Sequence, residues 1–264
     1  MTLHTKADVI LNAENVQLSF ENRTILRDIN FTVKNIIRPG FEQGQVVSLI
    51  GKSGIGKTQL FKILSGLQLP TAGSIRINNQ KTIKAGDMGV VFQNYYLFEW
   101  RSIHTSLMLA ASQNRLLKGV EKETIKKYMS DFNLEGITDF YPQQLSGGQR
   151  QRVSIIQQLL KGSDFLLLDE PFSGLDVCVL DKVVNLLLKV SLSDELKTLI
   201  IVSHDFETAL AISDTVFILG EAPGLPGATI KKEIDLIERD LAWQEDVRGR
   251  ITFRETIAEI KAAL

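Results

Sequence analysis

The residues best suited to chemistry lie in one stretch, Gly51-Lys52-Ser53-Gly54-Ile55-Gly56-Lys57-Thr58. It follows an apolar run at 46–50 and precedes a helical-looking segment at 60–64. A strand, a glycine-rich turn and a helix with the spacing G-x-x-x-x-G-K-[ST] are typical of a phosphate-binding loop. The glycines let backbone N–H groups surround an anion, and the helix directs its positive end at the phosphates. We expect Lys57 to contact the β- and γ-phosphates and Thr58 to bind Mg²⁺; the alternative is a turn that binds nothing.

Two carboxylates follow a second apolar run. Residues 165–168 are apolar and lead directly to Asp169 and Glu170. We expect the strand to place Asp169 near the Mg²⁺ shell, and Glu170 to orient and deprotonate a water for in-line attack on the γ-phosphate. The alternative, in which the pair only ends a strand or caps a helix, is weakened by the nucleotide motif in the same chain.

A second anion site is predicted at Leu145-Ser146-Gly147-Gly148-Gln149, which precedes a helical pattern from Gln151. A glycine-rich helix N-terminus with a serine hydroxyl presents free N–H groups. Both anion sites would serve one nucleotide only if two chains met head to tail.

The two motifs, in this order, resemble those of ATP-binding cassette (ABC) ATPases, and the resemblance covers roughly residues 10–225. It implies that Gln93 is the Q-loop glutamine near the metal and that Asp176 belongs to the D-loop. It also implies that His204 senses the γ-phosphate and that Phe20 stacks on adenine. The residues alone leave Phe20 open between base stacking and a core or edge position.

The resemblance implies a mechanism in which two chains bind ATP between the phosphate loop of one and the 145–149 motif of the other. Glu170 is then the general base, His204 the sensor and Lys57 the phosphate clamp, while the Mg²⁺ neighbourhood holds Thr58, Gln93 and Asp169. The expected nucleotide contacts are Phe20, Gly51, Lys52, Ser53, Gly54, Ile55, Gly56, Lys57, Thr58, Gln59, Gln93, Ser146, Gly147, Gly148, Gln149 and Asp176. At position 59 the family usually has a small hydroxyl residue, so the contact made by Gln59 is a departure.

The order of patterns predicts an α/β fold. Apolar strands alternating with helices indicate a parallel sheet covered on both faces. With the resemblance, this becomes a P-loop NTPase with a RecA-like parallel core, an N-terminal antiparallel β-subdomain and an inserted α-helical subdomain. The expected ranges are 1–225 for the ATPase domain, with its core at 1–93 and 162–225 and its helical subdomain at 94–161, then a charged helical tail at 226–264. A loop is expected at 36–44 and a helix at 177–190.

Composition favours a protein without its own membrane anchor. The 264 residues carry a net charge of −1 and a single cysteine. The sequence contains no run of about 18 apolar residues and its N-terminal residues lack the pattern of a signal peptide. We expect a cytoplasmic protein held at the inner membrane face by a transmembrane permease, with nucleic acid an improbable partner.

A further resemblance concerns residues 89–94 and 97–101, which are similar to the Q-loop region of importer ATPases for nitrate, sulfonate and taurine. It implies import of a small anion; alternatives are a lipid or export system, or a non-transport clamp on nucleic acid or ribosomes. Four aromatic residues, Tyr95, Tyr96, Phe98 and Trp100, are expected to flank a groove for a helix of the permease or to join the core, with Trp100 the expected core member.

Overall fold

The computed structural model describes residues 5–21, 23–37, 45–173, 184–185, 198–242, 244 and 246–264. These contain a ten-stranded sheet with the order β5-β4-β1-β2-β10-β9-β3-β8-β7-β6. Its strands are β1 Thr5–Phe20, β2 Arg23–Ile37, β3 Gln45–Ile50, β4 Ala72–Ile77, β5 Lys81–Thr82, β6 Gly89–Val91, β7 Phe165–Asp169, β8 Thr198–Ser203, β9 Thr215–Glu221 and β10 Ala228–Asp235.

Five neighbouring strands, β9, β3, β8, β7 and β6, are parallel. Strands β3, β7 and β8 are buried along their whole length, which explains their largely apolar sequences. The carboxyl ends of parallel strands meet at one edge, so this arrangement gathers the segments that follow β3, β6, β7 and β8. Those segments carry the predicted nucleotide residues.

Strands β1, β2, β4 and β5 pair antiparallel and form the predicted N-terminal β-subdomain. The first two strands are longer than their alternating patterns indicated, and β2 takes in Ile36 and Ile37, which we expected in a loop. Residues 38–44 of that expected loop lie outside the described residues. Strand β10 joins the subdomain to the core because it pairs antiparallel with β9 and contacts β2 at Ala228↔Leu26.

The described helices are α1 Lys57–Leu64, α2 Ile103–Ser112, α3 Glu121–Asp131, α4 Gly147–Lys161, α5 Phe206–Ile212 and α6 Ile251–Ala263. Residues 94–161 contain α2, α3 and α4, joined by turns and short 3-10 segments, and no strand. Leu107, Ile125, Met129 and Ile156 from α2, α3 and α4 are buried in one core cluster. The helix expected at 177–190 lies outside the described residues, apart from helical residues 184–185.

The sheet continues past residue 225, where our sequence analysis ended the ATPase domain and began a charged tail with a helix from about residue 250. Residues 228–235 form β10, in which Ile234 is buried while the charged residues 231–233 are exposed. Only residues 251–263 of this part form a long helix, α6, whose Phe253 and Ile260 are buried in a cluster with residues of α5 and β9. In the described part of the chain, the length and hydropathy needed to span a bilayer are not met by any helix.

Candidate nucleotide site

The glycine-rich loop follows β3 and is shaped by close packing and left-handed backbone. A Cβ on Gly51 would lie 2.8 Å from the carbonyl oxygen of Leu219, so no side chain fits there. Gly56 has φ +109° and begins α1 without a side-chain cap. Because the first N–H groups of a helix lack partners within it, the uncapped end of α1 is suited to a phosphate.

Lys57 is held inside this loop. Its side chain is buried, and Nζ donates hydrogen bonds to the carbonyl oxygens of Gly51 and Lys52 at 2.9 and 3.0 Å. The same ammonium lies 3.6 Å from Oε1 of Glu170. The predicted clamp and the predicted base are therefore adjacent.

Glu170 directly follows β7 and has a left-handed backbone with φ +49°. Its N–H donates to the carbonyl of Val202 at 2.8 Å, which fixes it against β8. Oε2 accepts hydrogen bonds from Ser203 Oγ at 3.2 Å and from the N–H of His204 at 3.1 Å. His204 Nδ1 lies 2.7 Å from the same oxygen. The structure thus brings the predicted base and sensor into direct contact.

Asp169 is the last residue of β7 and is only 6% exposed. Burial, and secondarily the negative charge of Glu170, raises its pKa to about 6. Its Oδ1 atom has no hydrogen-bond partner. A buried carboxyl with a free oxygen fits a divalent cation, which would supply the missing partner and favour the charged form.

No three His, Cys, Asp or Glu side chains within the described residues form a cluster able to hold a metal alone. Mg²⁺ is usually bound by one or two carboxylates together with water and substrate phosphates. The residues that would hold it are Asp169, the exposed Thr58 and Gln93.

An open cavity of about 390 Å³ lies over the loop, within the range of small-ligand sites. Nine predicted residues line it: Ser53, Gly54, Gly56, Lys57, Thr58, Gln59, Gln93, Glu170 and His204. Arg23 and Ile25 of β2 also line it, and our sequence analysis missed both. Phe20 could have pointed to Arg23 in the sequence, since the two residues pair across the turn between β1 and β2.

Phe20 is 51% exposed and ends β1. It is not a core residue, so the core position is excluded, while the edge position and base stacking both stay open. Its pairing with the cavity residue Arg23 places it near the cavity mouth. Stacking on a base stays a prediction.

The motif at 145–149 lies apart from this cavity, which none of its residues line. Ser146 caps α4: its Oγ accepts from the N–H of Gln149 at 3.3 Å, and Oε1 of Gln149 accepts from the N–H of Ser146 at 2.9 Å. Gly147 is exposed, and no atom lies within 4 Å of where its Cβ would be. The two predicted anion sites are therefore separate within one chain: the first lines a cavity and the second is open.

Comparison with known proteins decides the family. The family described as ABC transporter matches residues 34–173, more than half of the chain. The chain belongs to the ABC transporter ATPase family.

Relatives and a solved structure agree with this assignment. The ATPase is 36% identical over 201 residues to the aliphatic sulfonates import ATP-binding protein of Rhodococcus jostii (strain RHA1), covering 76% of this chain and 75% of the relative. It is 30% identical over 224 residues to the taurine import ATP-binding protein of Pelagibacter ubique (strain HTCC1062), covering 84% and 80%. The dimeric post-hydrolysis structure of the ATP-binding cassette MJ0796 with ADP and Pi matches with a TM-score of 0.70 and 25% identity, over 86% of this chain and 99% of that one.

Gln93 follows β6 and connects the cavity of the ATPase to a neighbouring loop. It lines the cavity, and its Nε2 donates to Ser173 Oγ at 3.5 Å. Asp176, three residues beyond Ser173, lies outside the described residues.

The aromatic residues after Gln93 divide between core and surface. Tyr95 and Leu97 pack on the core cluster of the helical segment. Tyr96 and Phe98 line a second cavity of about 290 Å³ with residues of α2 and α4. Our expectation for Trp100 was wrong: it is 73% exposed and contacts Phe98 at 5.5 Å between ring centroids.

Proposed function

We propose that this ATPase is the nucleotide-binding subunit of an importer for a small anion, such as nitrate, a sulfonate or taurine, and that it works as an ATP-dependent homodimer. The observation that carries the dimer is the separation of the two anion sites. The cavity at the phosphate loop contains a base and a sensor, whereas the 146–149 motif is open and has no partner group around Gly147. Two relatives are named as import proteins for taurine and for aliphatic sulfonates, which supports a small anion as the transported substrate.

Within one chain, the described contacts suggest how ATP would be held. Lys57 exchanges its bonds to the loop carbonyls for bonds to the β- and γ-phosphates, which also draws its charge away from Glu170. The loop from Gly51 to Thr58, with Gln59, surrounds the phosphates, and Phe20 stacks on adenine. Mg²⁺, when bound between Thr58, Gln93 and Asp169, supplies positive charge to the phosphate oxygens.

Glu170 then acts as the general base. With Lys57 engaged by phosphate, Oε1 is free to accept the proton of the attacking water, while Ser203 and the N–H of His204 keep Oε2 in place. The ring of His204 turns to the γ-phosphate, so its contact with Glu170 belongs to the state without nucleotide. The opposite chain closes the site with Ser146, Gly147, Gly148 and Gln149, and with Asp176.

The cavity beside the Q-loop segment is the proposed contact with the permease. Tyr96 and Phe98 form an apolar wall, and α2 and α4 form the other sides. Aromatic residues beside a groove between helices suit a short helix from a partner. We place the ATPase on the cytoplasmic face of the membrane through this contact, with the RecA-like core at 1–93 and 162–225 and the helical subdomain at 94–161.

The dimer is tested with Glu170→Gln. We expect turnover to fall by about 10²–10⁴-fold, as loss of a general base implies. The variant with ATP and Mg²⁺ should elute at about twice the 29.5 kDa of the monomer in size-exclusion chromatography with light scattering. Glu255→Gln, at an exposed carboxylate on α6, is the matched control and should behave as the wild type. Full turnover without a dimer would remove Glu170 from its role.

The transport assignment is tested by purification from membranes. The ATPase should copurify with a multi-spanning permease, and transport of sulfonate, taurine or nitrate by the reconstituted complex should stop in Glu170→Gln. ATP-dependent binding of nucleic acid or ribosomes by the free chain would instead show a clamp. Lipid transport or export by the complex would keep the permease but reject the anion.

A further inference from the structure

A half-buried ion pair joins the segment after Gln93 to the start of α4. Nη2 of Arg150 donates to both carboxylate oxygens of Glu99, at 2.7 and 2.9 Å. The two side chains are 27% and 43% exposed. One guanidinium nitrogen is thus shared between the two oxygens in a charge-assisted contact, which is stronger than a hydrogen bond between neutral groups.

The pair is the centre of a small ring of contacts. Nε of Arg150 donates to the carbonyl of Pro142 at 3.0 Å, and Nε2 of Gln143 donates to the carbonyl of Glu99 at 3.0 Å. Arg150, which follows the motif on α4, therefore contacts the turn that precedes the Ser146 cap. Glu99 is thus connected to the chain on both sides of the 146–149 motif, through Gln143 and through Arg150.

The segment between Gln93 and Glu99 is short and well held. Two hydrogen-bonded turns occur in or beside it, Tyr95 N–H to Phe92 O at 2.9 Å and Arg101 N–H to Phe98 O at 3.0 Å. Tyr95 and Leu97 pack on the helical core. The first turn contains Gln93 and the second contains Glu99, so the packed residues Tyr95 and Leu97 form the connection between the two.

We propose that Glu99 and Arg150 are positioning residues that couple Gln93, at the nucleotide cavity of a chain, to the 146–149 motif that the same chain presents to the ATP of its partner. Through this pair, occupancy of one ATP site aligns the motif for the other site, which produces positive cooperativity between the two. The inference rests on the proposed head-to-tail dimer. It assigns a role to an ion pair that neither contacts nucleotide nor lines the cavity at the phosphate loop.

The test is a charge-reversal cycle in the full chain. Glu99→Gln and Arg150→Gln should each weaken ATP-driven dimerisation by about tenfold and lower the Hill coefficient for ATP toward 1. ATP binding by the monomer should not change, because the phosphate loop is untouched. The double variant Glu99→Gln/Arg150→Gln should be no worse than either single variant, and Glu99→Arg/Arg150→Glu should regain most of the dimerisation.

The control is Lys81→Gln, which breaks the ion pair between Lys81 and Asp87 at 2.6 Å, outside both anion sites. It should leave dimerisation and cooperativity unchanged, and melting temperatures monitor folding in every variant. Additive losses in the double variant, or a reversed pair no better than the single variants, would overturn the coupling. A wild-type chain that never dimerises with ATP would instead overturn the proposed function.

Discussion

The two anion sites of this ATPase differ in how much of their surroundings the same chain supplies. At the phosphate loop, a Cβ on Gly51 would meet a backbone oxygen at 2.8 Å, while one on Gly147 at the other site would meet nothing within 4 Å. Lys57 and Glu170 bind neighbouring loop and strand atoms, whereas the side chains of Ser146 and Gln149 accept hydrogen bonds from each other's backbone N–H groups.

The difference follows from where each site lies in the fold. The phosphate loop, Glu170 and His204 follow β3, β7 and β8, so the register of the parallel sheet fixes their spacing. Ser146 begins a helix of the inserted segment, away from that edge. Sheet packing therefore positions the residues of the first site, whereas the 146–149 motif lies on a helix outside the sheet.

The largest effects are expected from substitutions of Lys57 and Ser146, which should differ in how they change the ATP affinity of the monomer. Lys57→Ala removes a buried charge that would bind phosphate, so monomer affinity for ATP should fall by about ten- to a hundredfold, since hydrogen bonds to charged groups contribute about 1.5–3 kcal/mol. Ser146→Arg should leave that affinity unchanged and lower turnover to the level of the undimerised chain. Calorimetric titration and steady-state ATPase assays measure both.

Equal losses of monomer affinity in the two variants would show that Ser146 belongs to the same site as Lys57, and the comparison between the sites would fail.

Effects of intermediate size are expected on the stability of the fold when Gly51 or Gly147 is replaced. Gly51→Ala should destabilise the fold by about 1–3 kcal/mol, because the added methyl group overlaps the Leu219 carbonyl. Gly147→Ala, in open space at the start of α4, should be neutral or slightly stabilising, since alanine favours helix more than glycine does. The Gly147→Ala variant should be impaired only in ATP-driven dimerisation. Chemical denaturation of both variants checks this, and a destabilised Gly147→Ala would mean that the second site is packed after all.

The smallest effect tests whether the C-terminal helix belongs to the packed region. Hydrogen bonds from Arg239 and Lys232 lower the pKa of Glu259 from its usual 4.5 to about 2. Because the folded-state pKa is the lower one, the stabilisation is present above pH 4.5 and is lost as pH falls toward 2. Glu259→Gln should therefore cost about 1 kcal/mol at pH 7 and progressively less below pH 4.5. Urea unfolding across pH measures it, and a difference between variant and wild type that does not vary with pH would contradict the ionic origin.

Residues with a fixed place in a motif were predictable from the sequence, since motif spacing identified Lys57, the two carboxylates after an apolar run identified Glu170, and the alternation of strands and helices identified the parallel core. His204 was assigned from the resemblance. Gln93 was assigned from the resemblance and does line the cavity. These residues lie in short motifs next to the ends of strands, and both the motifs and the strands can be read from neighbouring residues in the sequence.

Contacts across the fold were not predictable in the same way. Arg23 lines the cavity because β2 lies beside the phosphate loop. No local sequence pattern predicts that proximity. Ser203 is a buried residue at the end of a strand, and its bond to Glu170 depends on the β7–β8 register. Trp100 is exposed because the neighbouring aromatic and aliphatic residues Tyr95 and Leu97 take the core positions.

The exposure of Trp100 has an optical consequence. It is one of only two tryptophans in the chain and stands beside the groove that contains Phe98. An indole in water emits at longer wavelength than one covered by protein, so a partner helix that reaches Trp100 would shift its emission to the blue. With Trp243 replaced by phenylalanine, the ATPase becomes its own fluorescent reporter of permease docking, without an added dye.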